Sequence, residues 1–378
     1  MRIVVCGWVA GFPTAGFLWH PLSFVLGLRD LGHEVWFLED SGDEPYCWDA
    51  EADQVDPSGR AGSRFLAREL EAVGLGDRWV YRHVPTGRHD GMSAEMTADV
   101  LADADLLVDV SLTTRMRPEY LRVPLRLGID TDPVFTQVRI AQGDAALAHV
   151  PESFTRLATF GRAPLPAATH EWVPTRQPVA LDQWPVAPPV GEGAAFTSVT
   201  TWQAYPPVSW QGQQYAAKDV SLAALVDLPS LTRAPLRLAL GGGSGHQEGS
   251  AVLRAHGWQL EDPTPVTRST ASYRAWLAAS AGEIGVAKHG YVAARSGWFS
   301  ERTCAYLASG RPAVVQDTGW TAWLPEGTGP LPNRTAEQAA EALDAVLDDP
   351  DRHAAAARRI AEDHFDSRVV CQALLDRL

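Results

Sequence analysis

Two cations and a serine in the segment 288–302 have the types and the spacing needed to hold a phosphate group. Lys288 follows the apolar run Ile284 to Ala287, which predicts a buried strand, and Ser300 and Arg302 stand where the next helix is predicted to begin. A helix start carries free backbone amides and the positive end of the helix dipole, so it attracts anions. Ser300 suits the capping position, and both cations bind phosphate oxygens. The segment therefore predicts a cradle for a diphosphate.

The elements that position this cradle alternate between strand and helix. The helix that begins at Ser300 is expected to end at Gly310 and Pro312, and the strand Ala313 to Val315 leads into a turn formed by Asp317, Thr318 and Gly319. Ligands of open α/β sheets bind at the carboxyl ends of the strands. This turn is therefore expected to reach the same ligand.

The stretch SGWFSERTCAYLASGRPAVVQDTG, residues 296–319, resembles the donor-binding segment of GT-B glycosyltransferases, especially bacterial enzymes that use sugar nucleotides. In that family, a loop and a helix start of the C-terminal half hold the diphosphate and ribose of the donor. The resemblance implies that Asp317, Thr318 and Gly319 contact the donor sugar. One branch of the family carries a pair of glutamates here, but this chain has Gly297 and Ala305 at those positions.

The absence of that pair has two consequences. Glu301 is the nearby acid, and we expect it to bind a ribose or sugar hydroxyl of the donor. Assignment to a retaining branch is weakened, so the stereochemical outcome stays open.

Composition limits the classes of function. A chain of 378 residues with a formal net charge of −14 has room for two or three domains and lacks the cationic face that nucleic acids require. No apolar run reaches the roughly 18 residues of a membrane span. The start MRIVVCGW does not resemble a secretory signal, and the four dispersed cysteines predict reduced thiols in the cytoplasm.

Lysine usage singles out two positions. Lys218 and Lys288 are the only lysines among the 32 basic residues. Lysine provides a compact ammonium that commonly binds phosphate. We therefore expect both to bind the donor, although an ordinary surface role is the alternative, above all for Lys218.

The first half of the chain predicts a doubly wound parallel sheet. Strand Arg2 to Gly7, helix His20 to Leu31 and strand His33 to Leu38 give its opening. Gly16 and His20, followed by LGHEV, resemble the opening of a GT-B branch whose histidine lies at the interdomain cleft. The resemblance makes His20 a catalytic candidate; an imidazole bonded to the backbone at the helix start is the alternative.

The residues around Gly16 are aromatic. Phe17 and Trp19, with Trp8 and Phe12 before them, suggest a flat or amphipathic acceptor beside Gly16. Core packing is the alternative for each ring.

Two carboxylates at predicted strand ends are candidates to assist His20. Asp109 or Asp132 could orient the imidazole as a general base for an acceptor hydroxyl. Helix capping is an equally open interpretation. Asp130 and Asp132 also form a D-x-D pair, which metal-dependent transferases use; the cationic cradle favours a site without a metal.

The second half repeats the α/β pattern after a proline-rich linker. Three features are expected to contact the donor: Thr201 at the end of a strand, Gly242 in the glycine run 241–245, and Trp258, which the resemblance places near the base. Trp258 has core packing as its alternative.

The sequence thus predicts an α/β protein with two Rossmann-like doubly wound domains facing each other across a cleft, as in GT-B enzymes. The boundaries are an acceptor domain 1–173, a linker 174–193, a nucleotide-sugar domain 194–364 and a C-terminal helix 365–378 that packs back on the first domain.

The predicted activity is transfer of a sugar from a nucleotide diphosphate sugar (UDP or TDP) to a small-molecule hydroxyl, such as that of a natural product, without a metal or other cofactor. Three alternatives stay open: a sugar-nucleotide 2-epimerase, a non-catalytic GT-B partner and a metal-dependent transferase. The chain is expected to be a monomer or a homodimer.

Overall fold

The first lobe is built around a sheet whose central strands are nearly all buried, as a parallel sheet covered on both faces requires. The computed structural model describes residues 1–163, 165–243 and 245–378. The strands of this lobe are β1 Arg2–Cys6, β2 Glu34–Asp40, β3 Trp48–Asp49, β4 Gln54–Val55, β5 Trp79–His83, β6 Arg88–Gly91, β7 Leu106–Val110, β8 Leu125–Asp130, β9 Arg156–Thr159 and β10 Val173–Pro174. Its helices are α1 Ala15–Asp30, α2 Arg60–Glu71, α3 Ala94–Ala102, α4 Pro118–Leu121, α5 Phe135–Ala141 and α6 Val150–Ser153.

The main sheet of this lobe has the order β10-β9-β8-β7-β1-β2-β5-β6. All of its neighbouring strands are parallel except the pair β5–β6. Alternate residues of β1 enter two different cores: Ile3 and Val5 pack with α1, whereas Val4 and Cys6 pack on the opposite face. The sheet is therefore covered on both sides, as a doubly wound domain requires.

The second lobe repeats this plan with fewer strands. Its strands are β11 Phe196–Thr201, β12 Val208–Trp210, β13 Gln213–Tyr215, β14 Leu236–Gly241, β15 Gln259–Glu261, β16 Gly282–Gly285, β17 Ala313–Gln316 and β18 Pro330–Asn333. Its helices are α7 Lys218–Ala223, α8 Leu228–Leu231, α9 His246–Ala255, α10 Pro263–Thr267, α11 Thr270–Ala278, α12 His289–Ala293, α13 Glu301–Ala308, α14 Ala336–Asp348, α15 Pro350–Phe365 and α16 Ser367–Leu375. The main sheet is parallel, with the order β15-β14-β11-β16-β17-β18.

The last helix, α16, packs on α1 of the first lobe. Gly27 of α1 is so close to Ser367 that an added Cβ atom would lie 2.7 Å from the Ser367 Cβ atom. The segment between the lobes bonds to the same region, since the Val179 amide donates to the Phe365 carbonyl at 2.7 Å and the Ser367 amide donates to the Val179 carbonyl at 2.9 Å. The lobes are thus joined covalently and by packing along one side.

A hairpin of β12 and β13 makes a second connection between the lobes. It leaves the second lobe after β11 and contacts α5 of the first lobe, where Val208 and Trp210 pack beside Phe135 and Val138. The Gln142 side chain donates to the Ser209 carbonyl at 2.8 Å. This hairpin was not predicted from the sequence, because it is short and its strands are partly exposed.

The predicted fold class is confirmed: two Rossmann-like lobes face each other across a cleft. Some boundaries differ from those predicted. Pro174 still belongs to the first sheet as the end of β10, and the strand expected at Ile284 to Ala287 is β16, which begins at Gly282 and ends at Gly285. No helix in the described ranges combines the length and apolar character that a membrane span requires.

Candidate functional site

The candidate site lies where strand order reverses in both sheets. In the second lobe, β11 is followed in the sheet by β14 on one side and by β16 on the other; in the first lobe, β1 lies between β2 and β7. The carboxyl ends of strands at such a switch point leave a crevice in which ligands bind. Helix α1, which carries His20, and helix α13, which begins at Glu301, meet across the cleft at this level.

His20 and Glu301 approach each other from opposite lobes. The His20 Nε2 atom is 4.0 Å from a Glu301 carboxylate oxygen, and the two side chains are 20% and 31% exposed. Among the described residues, this buried Nε2 atom has no hydrogen-bond partner. Burial lowers the pKa of His20, while the charge of Glu301 acts to raise it. A neutral imidazole beside a carboxylate suits a general base.

Glu301 is therefore the carboxylate beside His20, a place that was expected for Asp109 or Asp132. For Asp109 the expectation is wrong, because its side chain lies beside Cys6 and Leu107, on the sheet face opposite α1. It is fully buried and accepts hydrogen bonds from the Thr114 hydroxyl at 2.8 Å and the Thr114 amide at 3.3 Å. Burial raises the pKa of Asp109 to about 7. We assign it to the structure of the loop that follows β7.

Asp132 lies in the cleft but is occupied by other partners. Its carboxylate accepts hydrogen bonds from the Lys288 ammonium at 2.9 Å and from the Tyr205 and Tyr291 hydroxyls. Its charge is a weaker influence on the pKa of His20 than that of Glu301. Asp132 belongs to the first lobe and its three partners to the second, so this cluster links the lobes.

Lys288 was expected in an open diphosphate cradle, and the structure places it in this cluster instead. Its ammonium lies 4.2 Å from the centre of the Tyr205 ring and 5.2 Å from that of Phe135. Aromatic faces stabilise such a cation. Tyr205 and Tyr291 were missed by the sequence analysis, because the elements that carry them join this cluster only through long-range packing.

Of the two lysines, Lys218 is the one that has no carboxylate partner among the described residues. Within the described part of the chain its ammonium has one hydrogen bond, donated to the Thr200 hydroxyl at 3.0 Å. Burial first, and then the nearby Arg302, lower the pKa of Lys218 to about 7. Thr200 lies at the end of β11, so Lys218 lies at the switch point of the second sheet. An anion entering this crevice would supply the missing partner.

Arg302 does not fit the role of an open phosphate ligand. Its side chain is 6% exposed, and its Nε atom donates to the fully buried Glu283 at 2.6 Å. Its Nη1 atom donates to the Val199 carbonyl at 2.8 Å. Glu283 raises the pKa of Arg302 against the effect of burial. Arg302 therefore joins α13 to β16 and β11, and the sequence analysis missed Glu283 because its position inside a strand gave no sign of a partner.

Ser300 caps α13 as predicted. Its hydroxyl accepts a hydrogen bond from the Arg302 amide at 3.2 Å, and its side chain is buried. The cap fixes the helix start beside His20, so the amides at this end face the cleft region with the positive end of the helix dipole.

The turn Asp317, Thr318 and Gly319 was expected to contact the donor sugar, but its side chains are occupied within the lobe. Asp317 is 2% exposed and bound to Arg334 at 2.7 Å. The Thr318 hydroxyl donates to the Trp298 carbonyl, and the Gly319 amide donates to Asp317 at 2.8 Å. The turn supports the loop before α13.

The two tryptophans expected to contact ligands are core residues. Trp258 is 2% exposed and its indole donates to the Val226 carbonyl at 3.0 Å. Trp19 is 4% exposed and packs against Trp184 with 4.9 Å between ring centres. Trp19 lies on the buried side of α1, and Trp258 lies in the connection between α9 and β15 with its ring in the core of the second lobe. The core alternative therefore holds for each.

Four other residues that were expected to contact ligands are at least partly exposed, and Gly242 among them lines the cavity between the lobes. Thr201 and Gly242 are exposed at the ends of β11 and β14, while Gly16 and Phe17 are accessible at the start of α1. Ser244, in the glycine run beside Gly242, lies outside the described residues.

A cavity of about 780 Å³ opens between the lobes beside the switch points. The first lobe contributes Phe12, Trp48 and Phe65, and the second contributes Gly242 and Asp262. A cleft of this size can enclose a small organic ligand.

The two acids of the D-x-D pair have separate partners. Asp130 is 1% exposed and bonded to Gln137 at 2.6 Å and to Thr159 at 2.8 Å, whereas Asp132 faces Lys288. Among the described residues, no group of three or more histidine, cysteine or acidic side chains converges as a metal site would require. All four cysteines are buried and unpaired.

Together, the two facing lobes, the returning C-terminal helix and the cleft between the switch points define the GT-B fold. Among solved structures, the chain is similar to HepE from Anabaena in complex with UDP and glucose, with a TM-score of 0.55 and 14% identity over 100% of this chain and 99% of that one. It is also similar to AviGT4, a glycosyltransferase involved in avilamycin A biosynthesis, with a TM-score of 0.54 and 13% identity over 99% and 96% of the two chains.

Sucrose-phosphate synthase from Thermosynechococcus elongatus gives a TM-score of 0.53 and 12% identity over 100% of this chain and 98% of that one. No protein-family model matches the sequence, and no curated protein matches it either. The expected GT-B fold is thus confirmed by structural similarity that spans both lobes.

Proposed function

We propose that this protein is a glycosyltransferase that moves a sugar from a nucleotide diphosphate sugar to a hydroxyl group of a small molecule. One observation carries the proposal: Lys218 lies in the same crevice as His20 and Glu301. Lys218, a partly buried lysine with no carboxylate partner among the described residues, lies at the switch point of the second sheet. Glu301 of the same lobe lies near it and faces His20 of the other lobe. The solved structures of similar fold include proteins crystallised with UDP or UDP-glucose, which makes UDP the first nucleotide to test.

Charge on the leaving group sets the first requirement. As the bond between the sugar C1 atom and the diphosphate breaks, negative charge grows on the diphosphate oxygens. Lys218 is placed to neutralise that charge, and the start of α13 adds the positive end of a helix dipole. Because the site is mostly buried, each of these interactions is stronger than it would be in water.

The acceptor hydroxyl needs a base. His20 Nε2 takes the hydroxyl proton while the acceptor oxygen bonds to C1, and Glu301 stabilises the imidazolium that forms. The products are the glycoside, the nucleoside diphosphate and a proton on His20, which later passes to water. In this proposal Glu301 stabilises the charged form of His20. This role replaces the binding of a donor hydroxyl that was expected from the sequence.

We also propose that the reaction needs no metal, because Lys218 supplies positive charge where the diphosphate would lie. The small-molecule acceptor, including a natural product, and action in the cytoplasm belong to the same proposal. A metal-dependent transferase is the competing case, and chelation distinguishes the two. A sugar-nucleotide 2-epimerase would convert the donor without any acceptor, whereas a non-catalytic partner would leave it unchanged.

The proposal is tested with a thermal-shift panel of UDP, TDP and UDP-glucose, each with magnesium and with a chelator. Binding to the folded state alone stabilises it by about 2.7 kcal/mol at a ligand concentration one hundred times Kd. We expect one nucleotide to raise Tm equally with and without magnesium. Lys218→Ala should lose this shift, while Arg233→Ala, at a surface ion pair remote from the cleft, should keep it.

Two results would contradict the proposal. One is a wild-type protein that no nucleotide diphosphate stabilises. The other is stabilisation that Lys218→Ala leaves intact.

A further inference from the structure

The exposed aromatic side chains of this protein are concentrated in one place. In the described ranges, the phenylalanine, tyrosine and tryptophan side chains classed as exposed are Trp8, Phe17 and Tyr46, at 36%, 44% and 43%. They come from three different segments of the first lobe. Scattered exposed apolar residues are ordinary, but an exposed cluster of large rings marks a binding surface.

These rings form one continuous group through Phe12. Trp8 and Phe17 pack edge to face with 5.6 Å between ring centres, Phe12 lies 5.9 Å from Phe17, and Phe12 stacks with Tyr46 at 6.4 Å. Phe12 also lines the cavity between the lobes. The aromatic cluster Trp8, Phe12, Phe17 and Tyr46 is therefore connected to that cavity through Phe12.

The cluster lies one helical turn from the proposed base. From Ala15 to Ser23, the residues of α1 that are not buried are Gly16, Phe17 and His20. Residues three apart on a helix are neighbours, with about 5–6 Å between Cβ atoms. A molecule whose apolar body rests on Phe17 can therefore reach His20 with a hydroxyl group.

The loop that carries Trp8 and Phe12 is held by buried hydrogen bonds. The buried Glu39 carboxylate accepts the Val9 amide at 2.9 Å and the Ala10 amide at 2.8 Å. Gly11 allows the Trp8 indole to lie against the loop, since an added Cβ atom would be 2.4 Å from that ring. A rigid set of rings binds a ligand with little loss of conformational entropy.

We propose that this aromatic cluster binds the acceptor, and that the acceptor is an aromatic or similarly flat apolar molecule bearing a hydroxyl group. The proposal rests on the proposed transferase function, whose acceptor it specifies. A flat apolar ring system stacks on aromatic faces, and four aromatic rings form this surface.

Equilibrium dialysis with 2-naphthol and with methyl glucoside tests the proposal without requiring turnover. We expect 2-naphthol to bind the full chain and to lose about tenfold in affinity with Phe17→Ala, since aromatic contacts dominate such sites. Tyr46→Ala should weaken binding in the same direction. Leu231→Ala, equally exposed at 44% but in the second lobe, serves as the control and should leave the affinity unchanged.

Three results would overturn the proposal: methyl glucoside binding as well as 2-naphthol, 2-naphthol binding unaffected by both aromatic variants, or equal loss with Leu231→Ala. A parallel UDP titration separates this inference from the proposed function. If UDP fails to bind while 2-naphthol binding still depends on Phe17, the aromatic site stands and the transferase function falls. If UDP binds normally to every variant and Phe17→Ala does not change the affinity for 2-naphthol, the transferase function stands and the acceptor assignment falls.

Discussion

At the scale of single residues, the environment of Lys218 predicts a pH-dependent affinity for the donor. Burial and Arg302 lower the pKa of Lys218 to about 7, so its ammonium loses its proton as the pH rises above that value. A diphosphate favours the charged form, and binding above pH 7 must therefore take up a proton.

We expect the affinity for UDP-glucose to fall from pH 7 to pH 9 in the wild type, by at most about tenfold per pH unit. Lys218→Arg remains charged throughout this range and should show little dependence on pH. Calorimetric titration in two buffers of different ionisation enthalpy measures both the affinity and the proton uptake. A wild-type affinity as flat as that of Lys218→Arg would contradict this view of the site.

The lowered pKa of Lys218 also makes the stability of the folded protein depend on pH. A lysine whose folded pKa lies below its unfolded value binds fewer protons in the folded state between those values. Its unfavourable contribution is fully present below about pH 7 and is relieved as the pH rises toward the unfolded pKa, near 10.4. The ligand-free protein should therefore gain stability from this residue between these values.

Glu301 predicts a change in the pH profile of the reaction. Its carboxylate acts to raise the pKa of His20, which burial lowers. Glu301→Gln removes that effect, so the pKa of His20 should fall further and the acidic limb of the kcat/KM profile should move to lower pH. The plateau rate should also fall, because the imidazolium loses its partner.

The profile separates this role from that of a donor ligand. If Glu301 bound a sugar hydroxyl, as its sequence position suggested, Glu301→Gln would raise KM for the donor and leave the acidic limb in place. A steady-state series from pH 5 to pH 9 gives both quantities for the two proteins.

The sequence could single out several residues of the candidate cleft because their signals are local. Ser300 was recognisable as a cap, His20 through the resemblance of its segment to a GT-B opening, and Lys218 through the rarity of lysine in this chain. The partners of Arg302 and Asp132 were not predictable in this way. Glu283, Tyr205 and Tyr291 meet them only after distant strands and loops have packed, and no spacing in the sequence encodes that meeting.

At the scale of elements, the Arg302–Glu283 pair predicts a stability effect. Both side chains are buried, and the guanidinium also donates to the Val199 carbonyl. Removing one member of a buried pair leaves the other charge without compensation, which costs about 3–5 kcal/mol. Arg302→Met should therefore lower the free energy of unfolding by that amount in urea titrations.

The double variant Glu283→Leu with Arg302→Met removes both charges and should recover much of the loss. If Arg302→Met left stability unchanged and abolished UDP binding, Arg302 would be the phosphate ligand that the sequence had suggested. These two outcomes distinguish a pair that stabilises the position of α13 from an arginine that binds the donor.

The regular elements were largely predictable, since α1, β7, α14 and α15 follow clear apolar periods between caps and glycines. Two parts of the fold could not be predicted correctly from the sequence. The turn Asp317, Thr318 and Gly319 after β17 was predicted to contact a ligand. Its Asp317 instead forms an ion pair with Arg334, which follows the next strand. The β12–β13 hairpin has few buried residues of its own and is held by contacts with the opposite lobe.

At the scale of the whole molecule, the cluster around Asp132 holds the lobes together in the absence of a donor. Lys288, Tyr205 and Tyr291 of the second lobe all bind this one carboxylate of the first lobe. If Lys288 also binds the donor diphosphate, Asp132 competes with the donor for its ammonium.

Asp132→Asn removes that competition, so we expect the affinity for UDP to increase severalfold. Asp144→Asn, at a surface ion pair with Arg139 in the same lobe, is the matched control and should have no effect. Titration calorimetry on the three proteins compares the affinities. Weaker binding by Asp132→Asn would mean that the carboxylate supports the donor site and does not compete with it.

The central claim is that the cleft between the lobes transfers a sugar from a nucleotide diphosphate to an acceptor, with Lys218 on the donor side and His20 on the acceptor side. The most direct measurement is release of UDP from UDP-sugars with and without 2-naphthol, in the wild type and in His20→Ala. We predict acceptor-dependent release by the wild type, and a His20→Ala protein that binds UDP normally but releases none from the donor. Equal release by the two proteins, or a wild type that converts no UDP- or TDP-sugar with any hydroxylated acceptor, would contradict the account.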